Sequence, residues 1–108
     1  MKLNEYQVRA SATAQYGEGN AINYPILGLV GEAGELANKY KKVLRDDGGI
    51  LHPDKRKAMA DELGDVLWYV AALARDLGED LESIAQRNIE KLHDRQTRGV
   101  ISGSGDQR

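Results

Sequence analysis

The chain has no cysteine, no phenylalanine and only two prolines among its 108 residues, and its 15 basic and 17 acidic side chains leave a formal charge of −2. Without cysteine there is no disulfide framework, no thiolate metal site and no cysteine nucleophile, which fits a reducing compartment. A net charge this small projects no long-range field, so neither nucleic acid nor a membrane surface is expected as a partner, and any phosphate chemistry must be local. Nowhere do the roughly 18 consecutive apolar residues of a membrane span occur, and MKLNEYQVRA lacks the continuous apolar core of a leader. The expectation is a soluble, cytoplasmic protein of one domain with a modest core.

What is present favours helix over sheet: 30% of residues are charged and β-branched runs are few. Four helical segments follow from periodicity. The first, about 3–16, carries Leu3, Tyr6, Ala10 and Ala14 on one face before GEGN breaks it. The second runs from about Pro25 to Asp46 with Ile26, Val30, Ala33, Ala37, Tyr40 and Leu44 in line, and DDGG stops it. The third, about 53–77, has the stripe Met59, Leu63, Val66, Val70, Leu73 and Leu77, with Gly78 as its stop. Asp80 is the expected N-cap of the fourth, about 81–98, with Leu81, Ile84, Ala85 and Leu92. Residues 1–98 then form an all-α bundle of four to five helices, antiparallel with short connections. The second and third helices are too broadly apolar for so short a chain to cover, so the bundle is expected to assemble into an oligomer. The Gly- and Ser-rich tail, 99–108, has no periodicity; it is flexible, or it folds only over something bound.

Polar residues that interrupt these stripes carry the functional information. DELGDVLWY (61–69) sets Glu62 and Asp65 around Gly64, and GEAGELANKY (31–40) sets Glu32 and Glu35 around Gly34 in the same order. Each acid taken singly is a solvated flank of a bundle helix. Like charges at i,i+3 repel by a few tenths of a kcal/mol and a mid-helix glycine costs about 1 kcal/mol against alanine, yet both costs occur twice. One explanation covers both: the glycines let two helices approach, and four carboxylates converge on a cation. Without one they would hold protons or push apart. An all-oxygen donor set suits Mg²⁺ or Mn²⁺, and Mg²⁺ completes its shell with water and substrate phosphates.

The fourth helix supplies Asn88 within the apolar stripe and Lys91 and Arg95 along its edge, cations whose partners are phosphate oxygens or the acids of a neighbouring helix. The alternative for all three is a solvated terminal helix. Gln7 lies in the first helix's stripe and reads as a structural amide. Trp68 points away from its helix's core face and reads as an oligomer contact ahead of a base-stacking platform. Tyr24 joins Gln7 and Trp68 as weak candidates for base or sugar preference, and His52 and His93 receive no role.

Glu32-x-x-Glu35 and Glu62-x-x-Asp65 on consecutive helices, followed by Asn88, Lys91 and Arg95, resemble the MazG-like all-α nucleoside triphosphate pyrophosphohydrolases over most of the chain, from about Leu3 to Arg98. The resemblance implies Mg²⁺-dependent cleavage of (deoxy)nucleoside triphosphates between the α and β phosphates. It also implies a dimer or tetramer with sites formed by more than one subunit. Carried over, it places Glu32, Glu35, Glu62 and Asp65 at the metal and Lys91 and Arg95 at the phosphates, with Glu35 and Glu62 in the catalytic step. The sequence departs from the family where a doubled acid often opens the first motif: here Gly31 stands in that position. Two other readings compete. One is a di-iron bundle suggested by Glu90-x-x-His93, although that design needs two such motifs. The other is a non-catalytic helical oligomer that senses nucleotides or docks a partner.

Overall fold

The computed structural model describes all residues from Met1 to Arg108 and contains four α-helices and no strand. These are α1 (Leu3–Ser11), α2 (Asn23–Asp46), α3 (Pro53–Asp76) and α4 (Leu81–Thr97), with a single 3-10 turn at Glu18–Asn20. The all-helical class expected from composition is present, and no helix is long and apolar enough to cross a membrane.

Helix α1 ends earlier than its apolar spacing suggests. The Ser11 hydroxyl donates to the Val8 carbonyl at 2.6 Å and the Thr13 hydroxyl to the Ala10 carbonyl at 2.8 Å, so side chains take over acceptors that a continuing helix would use. Helix α2 begins ahead of Pro25 because its N-cap is Ile22, whose φ of 68° is a strained conformation for a β-branched residue. Asp76 secures that turn: its Oδ2 accepts the Ile22 N–H at 3.0 Å and the Tyr16 hydroxyl at 2.9 Å. Helix α3 stops at Gly78, whose φ of 74° lets its N–H reach the Arg75 carbonyl and the next N–H reach Ala74. Asp80 then caps α4, its Oδ1 accepting the Ser83 N–H at 2.8 Å as its position predicts.

The two long helices pack in a regular order. Gly28 meets Tyr69, Glu32 meets Asp65 and Glu62, and Lys42 shares a recess with Lys55, so contacts rise along α2 as they descend α3. At Gly28 a Cβ would collide with the Tyr69 ring, which makes this the glycine the packing demands. Gly34 and Gly64 have nothing within 4 Å of the place a Cβ would occupy. The expected close approach at those two glycines is therefore corrected: the close contact lies one to two turns away, where the Tyr69 ring fills the space beside Gly28.

Helix α1 lies across α3, and Gln7 ties three elements together. Its amide donates to the carbonyls of Ala71 (3.4 Å) and Glu79 (2.9 Å), while its Oε1 accepts the Leu81 N–H at 3.1 Å. Around it Ala71, Ala74 and Leu81 are buried against Tyr6, Ala10, Val70 and Ile84. This core is thin, with 8 of 108 residues buried, while Leu27, Val30, Leu63 and Ile89 are each more than half exposed. The radius of gyration is 16.8 Å, against about 13 Å for a compact domain of ~100 residues. The chain is extended because α4 touches mainly α1 and leaves the α2–α3 pair uncovered.

Candidate metal centre

Positions 32 and 62 fall on facing turns of α2 and α3, and Asp65 follows one turn further along α3. One carboxylate oxygen from each of Glu32, Glu62 and Asp65 lies within 4.8 Å of the others. Glu35 is not among them. It sits one turn farther along α2 and is exposed, although its charge still reaches Glu32. The structure thus brings together three of the four acids named from the sequence.

The electrostatics show an unfinished arrangement. Hydrogen bonding to Glu62 is the foremost cause that raises the Glu32 carboxyl above its ordinary 4.5, ahead of burial and of the charges on Glu62, Asp65 and Glu35. Glu62 Oε2 is buried with no hydrogen-bond partner, and Lys39 Nζ lies 3.5 Å from Glu62 Oε1 as a partial counterion. An orphaned carboxylate oxygen, two further carboxylates within reach and no soft donor fit a hard divalent cation.

The pH dependence follows from the raised pKa. The contribution of a protonated Glu32 to stability is fully present below 4.5 and is lost as pH rises through the elevated value. A divalent cation offsets the repulsion that replaces it. Excess Mg²⁺ is expected to raise the Tm by a few degrees more at about pH 7.5 than at about pH 5, and equal shifts in a thermal melt at the two values contradict this.

Glu32 and Asp65 open onto a cleft of about 360 Å³ that Thr13, Trp68 and Tyr69 also line. It continues into a second of about 400 Å³, where Gln15, Tyr16 and Tyr24 join Thr13, Trp68 and Tyr69. Tyr16 stacks on Tyr24 with centroids 4.8 Å apart, and Trp68 meets Tyr69 edge-on at 5.0 Å. The Trp68 indole donates to Thr13 Oγ1 at 2.7 Å, and burial raises the Tyr69 and Tyr16 hydroxyls above their usual pKa. Trp68, read from the sequence as an oligomer contact, therefore faces the acidic site. Tyr24 lies in the same cleft, whereas Gln7 serves the fold. Thr13, Tyr16 and Tyr69 were not singled out by sequence reasoning. For the two tyrosines the only sequence signal is that the chain has tyrosine and no phenylalanine, which gives rings with polar edges, and Thr13 carries no signal.

Asn88, Lys91 and Arg95 line neither cleft. Asn88 is exposed on α4, and Lys91 and Arg95 instead pair with Asp106 at 2.7 and 3.1 Å. Glu90 is held by Gln86 at 2.9 Å and both it and His93 are exposed, so no second carboxylate–histidine cluster forms. Within one chain the anionic and cationic residues named from the sequence occupy different regions.

A family model described as the MazG nucleotide pyrophosphohydrolase domain matches residues 23–100. The chain is 50% identical to the Gene 37 protein of Mycobacterium phage L5 over 114 aligned residues, covering 100% of both chains. No solved structure matches.

Proposed function

Since the chain belongs to the MazG nucleotide pyrophosphohydrolase family, we propose that it hydrolyses (deoxy)nucleoside triphosphates between the α and β phosphates, releasing the monophosphate and pyrophosphate. The observation that carries the reading is the buried, partnerless Glu62 Oε2 within reach of Glu32 and Asp65. Those three residues would hold Mg²⁺ or Mn²⁺. When bound, the ion neutralises phosphate charge and acidifies water.

The remaining roles belong to the chain. Glu35, beside the cluster but outside it, accepts the proton of the attacking water. Glu62 would hold the ion against the reacting phosphate, with Lys39 limiting the negative charge around it. Trp68, Tyr69 and Tyr24 offer ring faces to the base, and Thr13 orients the Trp68 indole. Lys91 and Arg95 offset charge on the departing pyrophosphate, with Asn88 beside the substrate. In a homodimer or homotetramer a second copy would bring its α4 to the acids and cover the exposed α2–α3 face. Gly31, in place of the doubled acid that the resemblance implies, would leave the ion fewer protein ligands and more water.

With Mg²⁺ or Mn²⁺, a panel of canonical and modified triphosphates is expected to yield monophosphate and pyrophosphate in equal amounts, and a chelator to abolish both. Release of orthophosphate in their place contradicts cleavage at the α–β bridge. A non-catalytic nucleotide sensor would bind the same panel with Mg²⁺ and release nothing.

A further inference from the structure

Residues 99–108 fold back onto α4. Past the α4 terminus, where the Val100 N–H reaches the Arg95 carbonyl at 2.8 Å, the chain turns through Gly103 and Gly105, both at positive φ. This carries Asp106 to the face where Lys91 and Arg95 lie one turn apart. Asp106 Oδ1 accepts from Lys91 Nζ at 2.7 Å and from Arg95 Nη2 at 3.1 Å, and its backbone carbonyl accepts a further bond from Arg95. Arg108 closes the fold-back by donating to the carbonyls of Val100 (3.1 Å), Ile101 (3.0 Å) and Gly105 (2.6 Å).

The pairing is unequal in a way that identifies the replaceable partner. Arg95 has a relative exposure of 4% and its Nε is buried without a hydrogen bond, whereas the Asp106 side chain is 71% exposed. The cations are fixed on helix α4, and the anion arrives on a loop that water reaches. A carboxylate has two oxygens with which to meet a guanidinium and an ammonium, and leaves Nε unserved. A terminal phosphate has three oxygens and more charge.

We propose that residues 99–108 are an intramolecular strap in which the Asp106 carboxylate stands where a substrate phosphate binds, so that polyphosphate and tail compete for Lys91 and Arg95. This rests on the assignment of those two cations to phosphate made above. Hydrogen bonds from Lys91 and then Arg95 hold the Asp106 carboxyl below its ordinary range, so the strap stays anionic throughout the neutral range.

The test is binding of inorganic pyrophosphate with Mg²⁺ to the full chain, to Asp106→Asn, to a chain ending at Val100, which keeps the α4 cap, and to Lys91→Ala. Removing a tethered competitor of ion-pair strength is expected to tighten binding about two- to tenfold in the first two variants, while Lys91→Ala weakens it. A dye on Gln107→Cys, the sole thiol in the chain, is expected to gain mobility as pyrophosphate is added. If Lys91→Ala weakens binding but Asp106→Asn and the truncation do not tighten it, the strap is overturned and the phosphate role of the cations stands. If Lys91→Ala has no effect, both fail. Weaker binding by the truncated chain also overturns the strap, because the tail would then contribute to the bound state.

Discussion

Glu62→Gln is expected to lower kcat for triphosphate hydrolysis by about a hundred- to a thousandfold while leaving helix content unchanged. The substitution keeps the shape of the side chain and removes one negative charge, at the carboxylate that has a buried oxygen without a partner and lies within 4.8 Å of both other acids and 3.5 Å from Lys39. Each 1.4 kcal/mol of lost transition-state stabilisation is about a factor of ten in rate, and removing one well-placed electrostatic group typically forfeits about 3–4 kcal/mol. Circular dichroism alongside single-turnover kinetics separates chemistry from folding. Undiminished turnover in a helical variant would remove Glu62 from the site. Because Glu35 stands outside the cluster, Glu35→Gln separates the two roles: it is expected to impair turnover while retaining ion binding.

The second large effect concerns the fold. Gln7→Ala is expected to cost about 2–4 kcal/mol of unfolding free energy, measured by denaturant titration at fixed protein concentration. Gln7 joins α1 to the end of α3 and the start of α4 through three hydrogen bonds, two to carbonyls and one from the Leu81 N–H. Alanine takes that partner from the Glu79 carbonyl and the Leu81 N–H and adds a void beside the cluster of Ala71, Ala74 and Leu81. A loss below about 0.5 kcal/mol would show that water replaces the amide at little cost.

Gln7 also illustrates what was legible in the sequence. An amide inside an apolar stripe demands partners, either a base edge or the backbone, and the carbonyls of Ala71 and Glu79 with the Leu81 N–H decide for the backbone. The helices were legible for the same kind of reason: Gly48, Gly49 and Gly78 occupy positive-φ turns and Asp80 accepts a backbone N–H at a helix start. The failures share a cause. Periodicity gives the faces of a helix without saying which face meets its own chain, so it points to Gly34 and Gly64 for the close approach that Gly28 makes against Tyr69. Trp68 was assigned outward for want of α1 and Thr13, which wrap over that side of α3. Glu35 differs from Glu32 only by one turn of α2, and the axial offset between two helices is not written in either one's spacing. The engagement of Lys91 and Arg95 by Asp106 depends on a reversal in a segment with no pattern to read.

Manganese binding to the protein without nucleotide, followed by electron paramagnetic resonance, tests the central claim most directly. The account predicts that the protein removes the free-ion signal at stoichiometric Mn²⁺ and that Glu62→Gln restores it. A free-ion signal that the wild-type chain leaves unchanged would mean that Glu32, Glu62 and Asp65 gather for some reason other than a metal ion.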